Sequence, residues 1–280
     1  MRWKINDSVD RTAVRGLQEQ LQVNELIATL LVQRGIETYE QARAFFRPSL
    51  ADLHDPYLMK DMDKAVQRIE KALENDERIL VFGDYDVDGT TAVSLVSAYL
   101  KTLSENIDTY IPDRYLEGYG ISNKGIDYAE DNEFSLIIAL DCGIKSIDKI
   151  EYAKAKGIDF IICDHHLPGD EVPDAVAVLD AKQRDCNYPY KELCGCGVGF
   201  KLIQALGRNR NQTTEDLISY LDLVATAIAA DIVPITGENR ILAHFGLVVI
   251  NSFPRPGLLA FISFTEGILM VIQSRDRSNT

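Results

Sequence analysis

The chain is poor in sulfur chemistry, in positive charge and in long apolar runs. Its five cysteines include no Cys-x-x-Cys pair, so at this size they build no disulfide framework and read as reduced thiols. Cys194-Gly195-Cys196 offers half of a zinc site, but Cys186 is the sulfur nearby and no histidine follows closely. Small buried residues are the plainer reading. The longest weakly polar stretch, residues 257–273, is broken by Thr265 and Glu266 and falls short of the ~20 apolar residues that span a bilayer. A membrane span is rejected on that ground. The start, Met1-Arg2-Trp3-Lys4-Ile5-Asn6-Asp7, is mixed and polar and lacks the apolar segment of a secretory leader, so the expected location is the cytoplasm. Lysine and arginine number 29 against 43 acids, a net charge of -14. That argues against generalised nucleic-acid binding, because phosphate backbones are held by clustered cations. The objection weakens if several acids are metal ligands, since bound dications bring positive charge to the place where a phosphate sits.

Aspartate, by contrast, is abundant and regularly placed. Five largely apolar runs each end on one: residues 79–83 before Asp84, 107–112 before Asp113, 136–140 before Asp141, 160–163 before Asp164 and 175–179 before Asp180. From Arg78 to about Leu179 strands alternate with helices at intervals of roughly 16 to 30 residues, the rhythm of a parallel sheet. Before them, apolar periodicity over 23–32, 38–46 and 62–73 predicts helices, and Thr38-Tyr39-Glu40-Gln41 spells a capping box. After Asp180 come a glycine-rich turn at 195–199 and helices over 200–206 and 214–230, and beyond Pro254 the pattern becomes irregular. The expected fold is α/β, a parallel sheet flanked by helices with a helical N-terminal segment. The expected division is a helical segment over 1–75, a catalytic domain over 76–250 and an irregular tail over 251–280.

In an open parallel sheet the carboxyl ends of the strands line one crevice, where ligands bind. Acids converging there need a compensating charge, and divalent cations supply it. Asp84, Asp86 and Asp88 lie two residues apart, so extended backbone projects them the same way, and Gly89 lets the chain turn into a helix. That makes a metal cradle; the bland alternative is one helix cap and two solvated acids. Asp141, after Leu136-Ile137-Ile138-Ala139-Leu140, is either a turn residue or a carboxylate bridging two metals. Asp164-His165-His166 offers two imidazoles with different aims, one to a metal and one to substrate, with Asp164 able to orient a histidine. Asp231 ends an apolar helix, where the dipole repels an anion and a cation would remove the conflict. Asp222 competes with it but sits near the helix start, where an acid needs no metal. The amides of 195–199 could face a phosphate, although helix packing explains the glycines equally well. Arg114 reads as either a phosphate contact or a solvated rim residue.

Taken together these segments resemble the DHH phosphoesterase superfamily, and within it the bacterial exonucleases specific for single-stranded DNA. The likeness runs from about Leu21 to Gly257, through Leu53-His54-Asp55-Pro56-Tyr57-Leu58-Met59, Asp84-Tyr85-Asp86-Val87-Asp88-Gly89, Pro112-Asp113-Arg114-Tyr115-Leu116-Glu117-Gly118-Tyr119-Gly120, Leu140-Asp141-Cys142-Gly143, Asp164-His165-His166, residues 195–201, Ala230-Asp231-Ile232-Val233-Pro234 and Gly237-Glu238-Asn239-Arg240. The resemblance implies two divalent cations, manganese or magnesium, held by Asp86, Asp88, Asp141, His165 and Asp231, with Asp84 as an additional ligand. It implies that His166 touches the scissile phosphate. It further implies 5′ to 3′ degradation of single-stranded DNA to 5′-mononucleotides in DNA repair and recombination, with a single-strand-binding protein or a helicase as further partners. Family members continue into a second domain with a Gly-Gly-His motif and an oligonucleotide-binding domain, so the expectation here is a catalytic core.

The reaction expected of such a site is phosphodiester hydrolysis by a cation-activated water, with Asp141 bridging and with His166 and Arg114 stabilising phosphate charge. Asp86-Val87-Asp88-Gly89-Thr90 also spells the nucleophile motif of haloacid-dehalogenase-like phosphatases. There the nucleophile follows its strand directly, whereas here the apolar run ends at Gly83 and the two histidines would go unused. A small-substrate phosphodiesterase, acting on short oligonucleotides or cyclic dinucleotides, suits the acidic chain. The non-enzymatic alternative is a scaffold or an inactive fragment.

Overall fold

A computed structural model of the chain describes residues 9–264. By internal contacts the chain divides between Asp52 and Leu53 into two compact units. In the first, α1 (Arg11–Leu21), α2 (Glu25–Val32) and α3 (Tyr39–Phe46) close a small core of Val14, Leu17, Ala28, Leu31, Val32, Ile36 and Ala42. Asp10 caps α1 through the amides of Thr12 and Ala13. Thr38 and Gln41 form the capping box that their spacing predicts at the start of α3.

The second unit begins ahead of α4 (Met62–Glu74) and contains the sheet: β1 (Arg78–Gly83), β2 (Ile107–Tyr110), β3 (Phe134–Leu140), β4 (Asp159–Cys163) and β5 (Ala177–Leu179). Residues 53–75 therefore belong with the sheet and not with the N-terminal helices, because α4 packs on β5. All strands run parallel in the order β2-β1-β3-β4-β5. Their apolar runs follow from burial on both faces. Leu80, Phe82, Ile137, Ala139, Phe160 and Ile162 point to one core together with Ile126, Ala129, Ile150 and Ala153 of α6 (Asn123–Asp131) and α7 (Ile147–Ala155). The alternate positions Ile79, Val81, Leu136, Ile138 and Leu140 are equally buried on the side of α5 (Val87–Leu100) and α8 (Gly195–Arg208). Among the described residues the unit's further α-helices are α9 (Leu221–Ala230), α10 (Gly237–Ser252) and α11 (Pro256–Phe264).

Several elements differ from the sequence reading. The second strand stops at Tyr110, ahead of Pro112, which has no N–H to give a ladder. The glycine-rich segment at 195–199 is no turn but the start of α8, capped by Cys194, whose Sγ accepts from the Gly197 amide. The stretch 214–230 is a 3-10 turn, Glu215–Tyr220, followed by α9. Helix α10 was not apparent because its apolar residues do not keep to one face: Ile241 and Leu242 are buried while Leu247 and Val248 are exposed. Residues 256–264, expected to be irregular, form α11; the remainder of that tail lies outside the described residues. Among the described residues no single helix is long and apolar enough to cross a membrane, and α10 with α11 reaches that length only as a pair bent by 80°.

Candidate metal centre

The chain leaves β1 for β2 on one side and later returns to β3 on the other, so the switch point of the sheet opens a crevice beyond the carboxyl ends of β1 and β3. Asp84 follows β1 and Asp141 follows β3 at that point. Asp164, His165 and His166 follow β4, while Asp231 arrives from the end of α9.

Each acid of the first loop has its own task. Asp84 is fully buried; its Oδ1 accepts from the Gly120 amide at 3.2 Å and its Oδ2 has no hydrogen-bond partner. Asp86 is the N-cap of α5, with Oδ1 accepting from the Gly89 amide at 2.9 Å, so the capping role is real and belongs to this residue. Asp88 is buried, and its two oxygens accept from the Gly195 and Cys196 amides at 2.6 and 2.7 Å. The positive N-terminus of α8 thus clamps a carboxylate. Those two amides are taken up by Asp88, which corrects the expectation that they face a phosphate.

Two glycines permit this approach. A Cβ on Gly89 would lie 2.4 Å from the Asp84 carbonyl oxygen, and one on Gly195 would lie 2.6 Å from the Asp141 Cβ. Since the first obstacle is backbone, Gly89→Ala must shift α5, and overpacking of this kind costs about 1–3 kcal/mol. The expected result is a melting temperature lower by roughly 2–10 °C, read by thermal denaturation.

Asp141 is buried in left-handed backbone, φ 60°. The His165 Nε2 lies 3.1 Å from its Oδ1, 3.7 Å from Asp88 Oδ2 and 3.7 Å from Asp231 Oδ2. Despite that approach, Asp141 Oδ1 has no hydrogen-bond partner, nor has the buried His165 Nδ1. Donor atoms of Asp88, His165 and Asp231 lie within 4.8 Å of one another, and so do those of Asp141, His165 and His166. Oxygens and an imidazole nitrogen that crowd one point without bonding each other are the donor set a divalent cation takes. The residues therefore fit a metal.

Electrostatics agree. Burial, reinforced by the charges of Asp88 and Asp86, pushes the Asp141 carboxyl up to about 10. Burial raises Asp84 and Asp88 as well, in Asp88 against the opposing pull of the Cys196 amide and of His165. Without a cation the site must hold protons instead.

The second histidine is held differently. His166 Nδ1 lies 2.7 Å from Asp164 Oδ1, and its Nε2 lies 3.2 Å from the Tyr119 hydroxyl. Asp164 also accepts from the Ile144, His165 and His166 amides. Burial alone would raise it, but the hydrogen bonds from His166 and Ile144 hold its carboxyl below the usual range. In return the bond to Asp164 lifts His166 to about 9. Of the pair, His166 is thus the one Asp164 orients.

Among the sequence-chosen residues, Asp88, Asp141, His165 and Asp231 converge directly, Asp86 contributes charge to Asp141 from the helix cap, and Asp84 is buried at the end of β1 outside both groups of close donor atoms. Arg114 stands at the rim with its guanidinium 5.1 Å from the centre of the Tyr85 ring. Asp222 is paired with Arg255, whose Nε donates to its Oδ1 at 2.9 Å. Two residues were given no role in the sequence reading. Asp180 ends β5 fully buried with an unpartnered Oδ2, and burial pushes it up to about 7. Its strand-end position was visible, but nothing in its neighbours marked it as chemical. Tyr119 reaches His166 across 47 positions of sequence, a contact no local pattern announces.

Known proteins share this sequence and fold. A single-stranded-DNA-specific exonuclease RecJ of Bacillus subtilis (strain 168) is 43% identical over 267 residues, 95% of this chain and 33% of that protein. The protein of the same name from Escherichia coli (strain K12) is 36% identical over 249 residues, 85% of this chain and 42% of that protein. The crystal structure of RecJ in complex with Mn2+ from Thermus thermophilus matches with a TM-score of 0.79 at 27% identity, over 94% of this chain and 37% of that one. The chain thus spans between a third and a half of the length of these relatives. The sequence model of the DHH family, N-terminal domain, matches residues 78–228, from β1 into α9 and across the loops that carry Asp84 to His166. The chain belongs to the DHH family.

Proposed function

We infer that the chain is a metal-dependent phosphodiesterase acting on single-stranded DNA from its 5′ end. The observation that carries this is the convergence of carboxylate oxygens of Asp88, Asp141 and Asp231 on His165 Nε2, with Asp141 Oδ1 left without a hydrogen-bond partner, in a fold shared with proteins named as single-stranded-DNA-specific exonucleases. Asp84, Asp86, Asp88, Asp141, His165 and Asp231 would hold two divalent cations, manganese or magnesium. Bound there, such a pair would neutralise the acids, lower the pKa of water and clamp the entering and leaving oxygens.

The chain's own groups do the rest. The α8 amides fix the Asp88 carboxylate, so it needs no reorganisation when charge arrives. Asp164 keeps His166 aligned, and the hydrogen bond to that carboxylate favours the imidazolium. Its Nε2–H can then donate to a phosphate oxygen in exchange for the Tyr119 hydroxyl. Arg114, stacked on Tyr85 at the rim, is the cation placed for a second phosphate oxygen. Residues 53–252 would form the catalytic unit. The five thiols, all free and buried, suit a reducing cytoplasm.

The net charge of -14 favours one second reading, a phosphodiesterase of short oligonucleotides. Release of mononucleotides from 5′-labelled single-stranded DNA with manganese tests the first reading; hydrolysis confined to dinucleotides would support the second. No hydrolysis of either would remove both.

A further inference from the structure

Between β2 and α6, residues 113–118 form a turn that is braced from within and bare outside. Asp113 Oδ1 accepts from the Tyr115 and Leu116 amides at 2.8 and 2.9 Å. The Asp113 amide donates to Glu117 Oε1 at 3.0 Å, and Glu117 Oε2 accepts from Tyr110 Oη and Ser122 Oγ at 2.8 and 2.6 Å. On this pinned turn Tyr115 is 92% exposed and Leu116 79% exposed. Single exposed apolar residues are ordinary, so exposure alone decides nothing. The position does. Arg114 of the same turn stacks on Tyr85, and the turn runs on into Tyr119, which touches His166, and Gly120, whose amide holds Asp84. Tyr115 is four residues from Tyr119 and so lies within about 14 Å of it along the chain.

We propose that Tyr115 and Leu116 form a stacking platform for an unpaired base of the strand whose phosphate occupies the crevice. The inference rests on the reading given under Proposed function and names how that site selects its substrate. A chain of charge -14 gains little from general phosphate attraction outside the crevice, so contacts that ignore charge add to what the crevice supplies. Base stacking on an aromatic ring is such a contact, and it accepts any base. A rigid turn loses little conformational entropy in making it. In a duplex the base faces are already covered, so the platform favours single strands.

The test is fluorescence anisotropy of a labelled oligothymidylate with the whole chain and with Tyr115→Ala, Leu116→Ala and Tyr115→Trp. The alanine variants should bind on the order of tenfold more weakly, Tyr115→Trp should bind as the parent does, and an oligonucleotide of abasic sites should not distinguish the variants. Equal binding of parent and alanine variants would overturn the proposal and leave the phosphodiesterase reading standing. A parent chain that binds no single strand at all would overturn that reading and the proposal with it.

Discussion

Asp141→Asn is expected to reduce cation-dependent phosphodiester hydrolysis at least about a thousandfold, because the charge it removes anchors cations that supply several kcal/mol of transition-state stabilisation. Asparagine is the right replacement. The residue sits at φ 60°, where asparagine is tolerated and alanine is strained. The amide keeps the shape and relieves the repulsion with Asp88 and Asp86 that raises this carboxyl. The metal-free variant should therefore melt at or above the temperature of the parent. Hydrolysis at the parental rate by a folded Asp141→Asn chain would take this residue out of the chemistry.

Metal-free protein should lose stability as pH rises from about 5 to 8.5. The direction follows from the shifts of the site. Asp141 is raised to about 10, Asp180 to about 7 and His166 to about 9, so the folded state binds more protons than the unfolded chain, whose aspartates titrate near 3.9 and histidine near 6.5. The Asp contribution is intact below the unfolded value and drains away up to the folded one; that of His166 is intact below 6.5 and drains up to about 9. The lowered carboxyl of Asp164 works the other way, but its window lies below pH 4 and is closed in this range. One extra bound proton corresponds to about 1.4 kcal/mol per pH unit, or roughly 3–5 °C of melting temperature for a unit of this size. Manganese should flatten or reverse the trend, because binding displaces the same protons and grows tighter as pH rises. Thermal melts at several pH values, with and without manganese, read both effects. A metal-free melting temperature that climbs across this range would contradict the protonated site.

Much of the sheet was legible because parallel strands buried on both faces read as unbroken apolar runs, and those of β1, β3 and β4 are followed by the acids and histidines of the crevice. Asp231 could be singled out since a carboxylate at a helix C-terminus conflicts with the dipole, and it does meet His165. What stayed hidden depends on tertiary partners. Gly195 looks like a turn residue, yet the α8 start forms because Asp88, 107 positions earlier, takes its amide. Helix propensity could not show this, as glycine costs about 1 kcal/mol there. Asp180 stood out only as one of five strand-end acids and Tyr119 only within the segment 117–120, because the role of each is set by groups from other loops. The apolar residues of α10 wrap around the helix, and no single-faced period marks it.

The central claim is that Asp88, Asp141, His165 and Asp231 share cations. Calorimetric titration of manganese into the metal-free chain tests it most directly. The account predicts two bound ions per chain, with at least one lost in Asp141→Asn and protons released on binding. No binding by the parent, or the same two ions in the variant, would contradict it.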